Sequence, residues 1–420
     1  MEKIFTVAIL GVGARGFGIY GKLINEQKDK FRIVAVCDKR KERLQVAAEE
    51  FGVAEDGRFL DESALWKKKL ADILIIATQD KDHYAHLLKA FETGYDVLCE
   101  KPLTGDIQEC YDLLAAQKKH GNKVLVCHVL RYAPAFMKVG ELLSTGKIGR
   151  LISIDALERV GYWHQAHSYV RGNWRTEKEA MAMILAKCCH DLDLLQFYAN
   201  AKCETISSIG ERSYFNEENA LEGSADRCCE CKHIDTCPYS AKRIYIDRWE
   251  NAEMPQCWPY NVLTNGAVTK AALLTAIETG PYGRCVFKCD NDVVDNQIVM
   301  MSFTNGVKAT LTMTGFTSEV GRRMVFHGTL GDIVLDETQN MLRVCRYGED
   351  AENISMNTLN DDGYGHGGGD KGLVDSLYDI MTASTEGATS LAASIESHLM
   401  GIAAEESRKF GGKLVCIHHN

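Results

Sequence analysis

Phe5-Thr6-Val7-Ala8-Ile9-Leu10-Gly11-Val12-Gly13-Ala14-Arg15-Gly16 runs a short apolar strand into a Gly-x-Gly-x-x-Gly turn. A helical pattern follows to about Asn25. Strand, glycine turn and helix in that order are what a dinucleotide pyrophosphate needs. Gly11 permits the tight turn and Gly13 lets the backbone approach the phosphates. Gly16 allows close packing of helix on strand. The helix N-terminus, where Ala14 and Arg15 stand, supplies free N–H groups and a positive dipole end. Asp38 lies 22 residues beyond Gly16, at the end of a second strand, Phe31–Cys37. It is placed to accept from a ribose 2′-hydroxyl, which favours NAD, while Lys39 and Arg40 leave room for a 2′-phosphate and hence NADP.

Working outward, residues 4–128 alternate strands and helices, the pattern of a parallel doubly wound sheet. Ile73–Ala77 is continuously apolar, as a strand covered on both faces should be. Helix Asp82–Thr93 ends at Gly94. Strand Val97–Cys99 delivers Glu100-Lys101-Pro102, and a helix at about Ile107–His120 leads to strand Val124–His128. After Arg131 a helix at about Ala133–Ser144 gives way to strand patterns at Leu151–Val160, Thr205–Phe215, Val293–Phe303, Val307–Thr314, Arg323–Gly328, Asp332–Asp336 and Met341–Arg346. Thr304-Asn305-Gly306 is a hairpin turn. One helix, about Met181–Ala199, would cover this open sheet, and helices at Leu373–Thr382 and Ala388–Lys409 close the chain. The fold expected is α/β: a Rossmann sheet over 1–130, then an α+β half over 131–420 with a large open, mostly antiparallel sheet. Residues at about 216–275 read as a cysteine-rich insertion with little apolar periodicity.

Composition sets limits. The chain has 420 residues, 45% apolar and 25% charged, with a net charge of −10. That balance disfavours nucleic acid or an anionic membrane as partner, and no apolar run approaches a membrane span. Met1-Glu2-Lys3-Ile4-Phe5 lacks an export pattern, so the expected compartment is the cytoplasm, where 16 cysteines read as core thiols or metal ligands before disulfides.

The candidate chemistry lies at strand ends. Lys101 offers an ammonium that can hydrogen-bond a substrate hydroxyl beside a nicotinamide. Ala77-Thr78-Gln79-Asp80-Lys81-Asp82-His83 ends another parallel strand, in the crevice where ligands of such sheets bind. Lys187-Cys188-Cys189-His190-Asp191-Leu192-Asp193 brings Lys187 and His190 to one helical face, with His190 suited to general acid–base work. Asp191 and Asp193 could orient it or cap backbone groups.

The fingerprint, the His five residues after Thr78 and Cys99-Glu100-Lys101-Pro102-Leu103 resemble the glucose-fructose oxidoreductase/inositol dehydrogenase (Gfo/Idh/MocA) superfamily. The resemblance implies an NAD(P)-dependent dehydrogenase of sugars, cyclitols or nucleotide sugars. It implies that Lys101 binds the reacting hydroxyl and lowers its pKa, and that Glu100 and Pro102 shape the nicotinamide pocket. Thr78, Gln79 and His83 would line that pocket and Arg131 would close its floor. Lys101–Pro102 is a plausible cis peptide. Many members carry Asp-x-x-x-His; four residues before His190 this chain has Ala186, so Lys187 takes over the function or His190 works alone.

Two clusters suit a sugar. His164–Arg175 collects His167, Arg171, Asn173 and Trp174. Tyr364–Asp370 is a glycine loop with His366 and Asp370 as polar contacts. Cys228-x2-Cys231 followed by Cys237 has the spacing of a structural zinc or iron–sulfur site, with Cys257 as fourth ligand and Cys229 or His233 as alternatives; free thiols are the plain alternative. The leading function is hydride transfer between NAD and a ring carbon, Lys101 and His190 handling the hydroxyl proton. A redox glycoside hydrolase or lyase working by transient C3 oxidation and elimination is the alternative, and a non-catalytic NAD-binding regulator is a third. The open sheet implies a homodimer or homotetramer.

Overall fold

The computed structural model describes residues 3–264, 267–359, 366–383 and 387–418. Two sheets organise it. The first has six parallel strands: β1 (Phe5–Leu10), β2 (Phe31–Cys37), β3 (Arg58–Phe59), β4 (Ile73–Ile76), β5 (Asp96–Cys99) and β6 (Val124–Val126). Their order is β3-β2-β1-β4-β5-β6, the doubly wound arrangement expected. It reverses between β1 and β4, and that switch point opens the ligand crevice of such sheets. Every residue of β4 is buried, which explains its unbroken apolar run. The helix Ile107–His120 starts where Asp106 accepts from the N–H groups of Gln108 and Glu109 and stops at Gly121 in the left-handed region.

The second sheet has nine strands: β7 (Leu151–Arg159), β8 (Cys203–Glu211), β9 (Asn296–Phe303), β10 (Lys308–Thr314), β11 (Gly321–Gly328), β12 (Gly331–Asp336), β13 (Met341–Arg346), β14 (Glu352–Ser355) and β15 (Val415–Cys416). The order is β14-β13-β12-β11-β7-β10-β9-β8-β15. Only β7 and β10 pair in parallel; the other pairs are antiparallel, and Gly306 turns the β9–β10 hairpin at φ +90°. The short strands β3, β14 and β15 escape a periodicity reading because two to four residues show no period.

Two features depart from the sequence reading. The helix Gly369–Thr382, late in the chain, packs on the first sheet: Leu373, Val374 and Leu377 share a core with Val7, Ile9 and Phe31. Lys123 Nζ donates to the carbonyls of Ile380, Met381 and Ala383. The expected single helix at 181–199 is broken: Met183–Ala186 forms one turn, and Cys189–Ala199 continues after Lys187 and Cys188. That helix is joined over the second sheet by Leu391–Lys409.

One core runs from the first sheet to the second, through Leu74, Val97, Leu185, Leu192, Ile154, Leu311 and Leu399. The stretch at 216–275 is not coreless as its weak periodicity suggests. Ile244, Tyr245, Tyr260 and Leu273 pack with Trp163, Val170, Phe215, Tyr282 and Phe287 as a separate apolar cluster. Its helical turns are too short for a period to register.

Candidate active site

The glycine turn sits at the switch point. Gly11 has φ +90°, and a Cβ there would stand 2.5 Å from the Ala77 carbonyl oxygen at the end of β4. A Cβ on Gly16 would lie 1.9 Å from the Gly11 oxygen, whereas one on Gly13 would meet only the Arg43 Nη1 at 3.4 Å. The backbone at Gly13 is therefore open for the approach of a phosphate, and the turn fits a dinucleotide on its own geometry. Asp38 accepts from the Val12 N–H at 3.0 Å and the Arg40 N–H at 2.9 Å. An ionised carboxylate keeps further lone pairs for a ribose hydroxyl. Lys39, Arg40 and Ala14 are exposed.

Arg15, expected to face the cofactor, instead ties the turn to two distant elements. Its Nε donates to Glu100 Oε1 at 2.6 Å and its Nη2 to Asp370 Oδ1 at 2.5 Å. Tyr20 donates to the same Glu100 oxygen at 2.7 Å. Burial works against the Glu100 charge, but Arg15 and Lys101 hold its pKa below the ordinary range. Asp370 is likewise held well below it by Arg15 against burial, and its Oδ2 meets His366 Nδ1 at 3.0 Å. Tyr364 and Gly365 lie outside the described residues.

Lys101 precedes a cis proline, as anticipated. Its Nζ donates to the Ala186 carbonyl at 3.1 Å, a group freed by the helix break. Burial lowers its pKa, but the Cys189 sulfur, Glu100 and Asp80 outweigh that and raise it above the usual lysine value. His190 is opposite in character. Burial first, then Lys101 and His366, push its pKa well below 6.5, so its imidazole is neutral. Its Nδ1 is buried with no hydrogen-bond partner among the described residues, and the His366 ring lies 5.5 Å away. A cationic donor and a neutral acceptor thus share one crevice.

Lys187 does not share a helical face with His190, because the helix breaks between them. Its Nζ pairs with Glu158 Oε1 at 2.9 Å, and Arg322 Nη2 reaches Glu158 Oε2 at 3.0 Å. Arg322 Nε also pairs with Asp191 Oδ1 at 2.9 Å. Glu158 and Arg322 are direct cross-strand partners on β7 and β11. Burial opposes the Glu158 charge, and Arg322 and Lys187 hold its pKa below normal. Asp191, with burial dominating, is pushed up to about 6. Sequence reasoning missed this network. The signal was available: on β7, Glu158 falls in phase with buried Ile154 and Ala156, and on β11 Arg322 falls in phase with Met324 and Phe326.

Several expected contacts are braces instead. His83 is buried; its Nδ1 meets the Pro102 carbonyl at 2.7 Å and its Nε2 the Thr78 carbonyl at 3.3 Å, holding the two strand ends together. Thr78 Oγ1 pairs with His86 at 3.0 Å, and Gln79 is exposed. Arg131 makes a two-toothed pair with Asp193 at 2.7 and 2.6 Å and donates to the Ala388 carbonyl, so it clamps helices rather than forming an open floor. Trp174 Nε1 donates at 2.9 Å to Asp80, a buried carboxylate in the turn that follows β4, which ties the second half to the crevice. Asn173 is exposed. His167 is sealed in the apolar cluster, bonded to Tyr245 and stacked on Tyr282. Arg171 is fully buried away from the crevice. The zinc expectation at Cys228, Cys231, Cys237 and Cys257 finds no support: Cys257 is exposed, and no three His, Cys, Asp or Glu among the described residues could hold a metal ion.

Known proteins match this arrangement from end to end. The pattern described as an oxidoreductase family with an NAD-binding Rossmann fold fits residues 5–128, and that of the same family's C-terminal alpha/beta domain fits residues 140–411. YteT of Bacillus subtilis (strain 168) is 25% identical over 412 residues, 92% of this chain and 94% of its own length. A 2,7-anhydro-N-acetylneuraminate hydratase of Mediterraneibacter gnavus is 28% identical over 208 residues, covering 50% of this chain and 53% of the hydratase. Among solved structures, levoglucosan dehydrogenase in complex with NADH superposes over 100% of both chains, with a TM-score of 0.73 at 16% identity. An oxidoreductase domain protein from Kribbella flavida has a TM-score of 0.72 at 18% identity over the same coverage. At such identities these structures speak for the fold.

Proposed function

Because the chain belongs to the Gfo/Idh/MocA oxidoreductase family, we propose that it moves hydride between NAD and a ring carbon of a sugar, cyclitol or sugar derivative. The observation that carries this reading is the pairing of a cationic Lys101 with a buried, neutral His190 whose Nδ1 has no described partner. When bound, the nicotinamide supplies the hydride acceptor. Lys101 keeps its proton and stabilises the developing alkoxide electrostatically. His190 takes the hydroxyl proton, a role its depressed pKa leaves open at neutral pH. Glu158 does not touch the proton path; it fixes Lys187 and Arg322 behind the helix break. Asp38 supports NAD over NADP, and the turn Gly11–Gly16 holds the pyrophosphate. Asp370 and His366 bound the substrate side. The test is a panel of sugars, cyclitols and their acids with NAD, read as NADH formation, followed by Lys101→Ala on any substrate found. No turnover on any of them by protein shown to bind NAD would sink the reading.

A second reading rests on the His190–His366 pair. Two imidazoles whose rings lie 5.5 Å apart suit two successive proton transfers, as in oxidation at C3, removal of the C2 proton, elimination, and return of hydride to the sugar. That cycle leaves no net NADH. Release of an aglycone from a chromogenic glycoside by protein with retained cofactor, without NADH accumulation, distinguishes it.

A further inference from the structure

Trp258 is the one exposed tryptophan of the five. Trp163 is buried, and Trp66, Trp174 and Trp249 are half-buried. Trp258 is 38% exposed although its ring touches three others. It lies 4.8 Å from the His164 ring, 5.3 Å from that of His167 and 5.4 Å from that of Trp163, with planes meeting at 72°, 84° and 49°. These edge-on and tilted contacts fix one side of the indole and leave much of the rest open to solvent.

A single exposed aromatic needs no explanation by itself. This one is held still. Two residues before it, Gln256 exchanges a pair of hydrogen bonds with the main chain of Val268, at 2.8 and 3.0 Å. One residue before it, the Cys257 carbonyl accepts from the N–H groups of Tyr260 and Asn261, and Tyr260 is sunk in the apolar cluster of the insertion. Trp249 Nε1 donates to the Pro255 carbonyl at 3.1 Å. The insertion thus spends its anchors on presenting one open indole, which is the preorganisation a binding surface needs.

The indole adjoins the crevice. His164, against which it packs, is held neutral by burial first and then by Lys187 and His167, with Lys101 acting on it as well. The other side of His164 meets Tyr169 at 5.7 Å between ring centres. Tyr169 in turn is pushed upward by burial first, then by Cys188, Glu158 and Asp80, all groups of the crevice wall. Contacts therefore run from the crevice through Tyr169 and His164 to Trp258.

We propose that Trp258 is an outer subsite that takes the face of a second pyranose ring, so that the substrate is a glycoside of two or more units. The proposal rests on the reading of the crevice as a sugar site. The reacting ring lies between Lys101 and His190, and the His164 imidazole separates that place from Trp258. An indole set one ring outward covers the next unit of the chain and not the reacting one. Its flat apolar face matches the C–H face of a pyranose, and the insertion that carries it sets the length of substrate accepted.

The test uses the full chain loaded with NAD and pairs of a pyranose and its disaccharide: glucose with cellobiose and maltose, galactose with galactobiose, mannose with mannobiose. NADH formation reads turnover, and shielding of tryptophan fluorescence from acrylamide reads binding even where hydride returns to the sugar. For at least one pair the disaccharide should exceed its monosaccharide about 10-fold in kcat/KM and shield the fluorescence. Trp258→Ala should bring that ratio close to one, and Trp258→Tyr should restore most of it. Monosaccharides handled as well as every disaccharide, or a ratio unchanged in Trp258→Ala, overturn the subsite and leave hydride transfer standing. Nitrophenyl glycosides preferred over every disaccharide assign the indole to an aromatic aglycone and overturn the second pyranose. Neither NADH nor shielding with any sugar, in protein shown to bind NAD, overturns the sugar site itself. The wild-type ratio and shielding decide the matter even where a variant fails to fold.

Discussion

Lys101 Nζ donates to the backbone carbonyl of Ala186 at 3.1 Å, four residues before His190 in the sequence. The lysine is thus oriented by a main-chain oxygen that the break after Ala186 leaves free, and no side-chain carboxylate is needed for that task. Replacing Lys101 by Ala should lower kcat/KM about 10²- to 10⁴-fold with little change in NAD affinity. Steady-state kinetics on the identified substrate, beside a cofactor titration, checks it. Equal activity of wild type and variant would remove Lys101 from the chemistry.

The Glu158–Lys187–Arg322–Asp191 network predicts a strong stability effect at a residue outside the proton path. Glu158→Gln leaves Lys187 without its described partner and Arg322 short of charge in a buried setting. Removing one partner of a buried pair costs about 3–5 kcal/mol. Denaturant unfolding should show that loss, and a Glu158→Gln protein as stable as wild type would show that Lys187 and Arg322 repartner freely.

Buried neutral histidines set the acid limit of the fold. Burial, with Arg171 as the lesser cause, holds His167 at about 3, and burial with His128 does the same to His398. His128 and His190 are also held well below 6.5, burial again leading. Below about pH 6.5 the unfolded chain binds protons that the folded chain refuses, so stability falls as pH falls. Each such group contributes at most about 1.4 kcal/mol per pH unit, continuing to about pH 3 for His167 and His398. Unfolding midpoints measured from pH 7.5 to 4.5 should decline, most steeply at the acid end. A flat profile would contradict neutral burial.

The outer face of the second sheet exposes Ile209, Ile298 and Met300, with Ile209 and Ile298 directly paired across β8 and β9. Contiguous exposed apolar surface of this kind marks an interface. The expected assembly is a homodimer or homotetramer, and Ile298→Lys should shift its mass toward the monomer in light scattering. A monomeric wild type would refute it.

What the sequence revealed follows from where its signals are strong. The glycine turn, the apolar β4 run and the alternating strands each carry a local signature, so both sheets were legible. The roles of His83 and Arg131 were not, because a polar side chain reads the same whether it faces a ligand or braces a loop. His83 braces Pro102 and Arg131 binds Asp193. Arg171 and His167 were misplaced for a related reason: their segment winds as a wide, π-type helical turn from Gln165 to Arg171 that buries the whole stretch. Glu158 was missed although its strand phase marked it, since a charged residue on a core-facing phase is easily taken for an irregular edge.

Asp38 offers the sharpest test of cofactor choice. It holds the turn through the Val12 N–H and its own loop through the Arg40 N–H, so it is fixed before any ribose arrives. A hydrogen bond to a charged acceptor contributes about 1.5–3 kcal/mol, so Asp38→Ala should weaken NAD binding about 10- to 100-fold. NADP should lose less, because the carboxylate that repels a 2′-phosphate is removed while exposed Lys39 and Arg40 remain. The ratio of the two affinities, measured by fluorescence titration, should therefore move toward NADP. If the two cofactors weaken equally, Asp38 serves only to shape the turn, and the preference for NAD must reside elsewhere in the crevice.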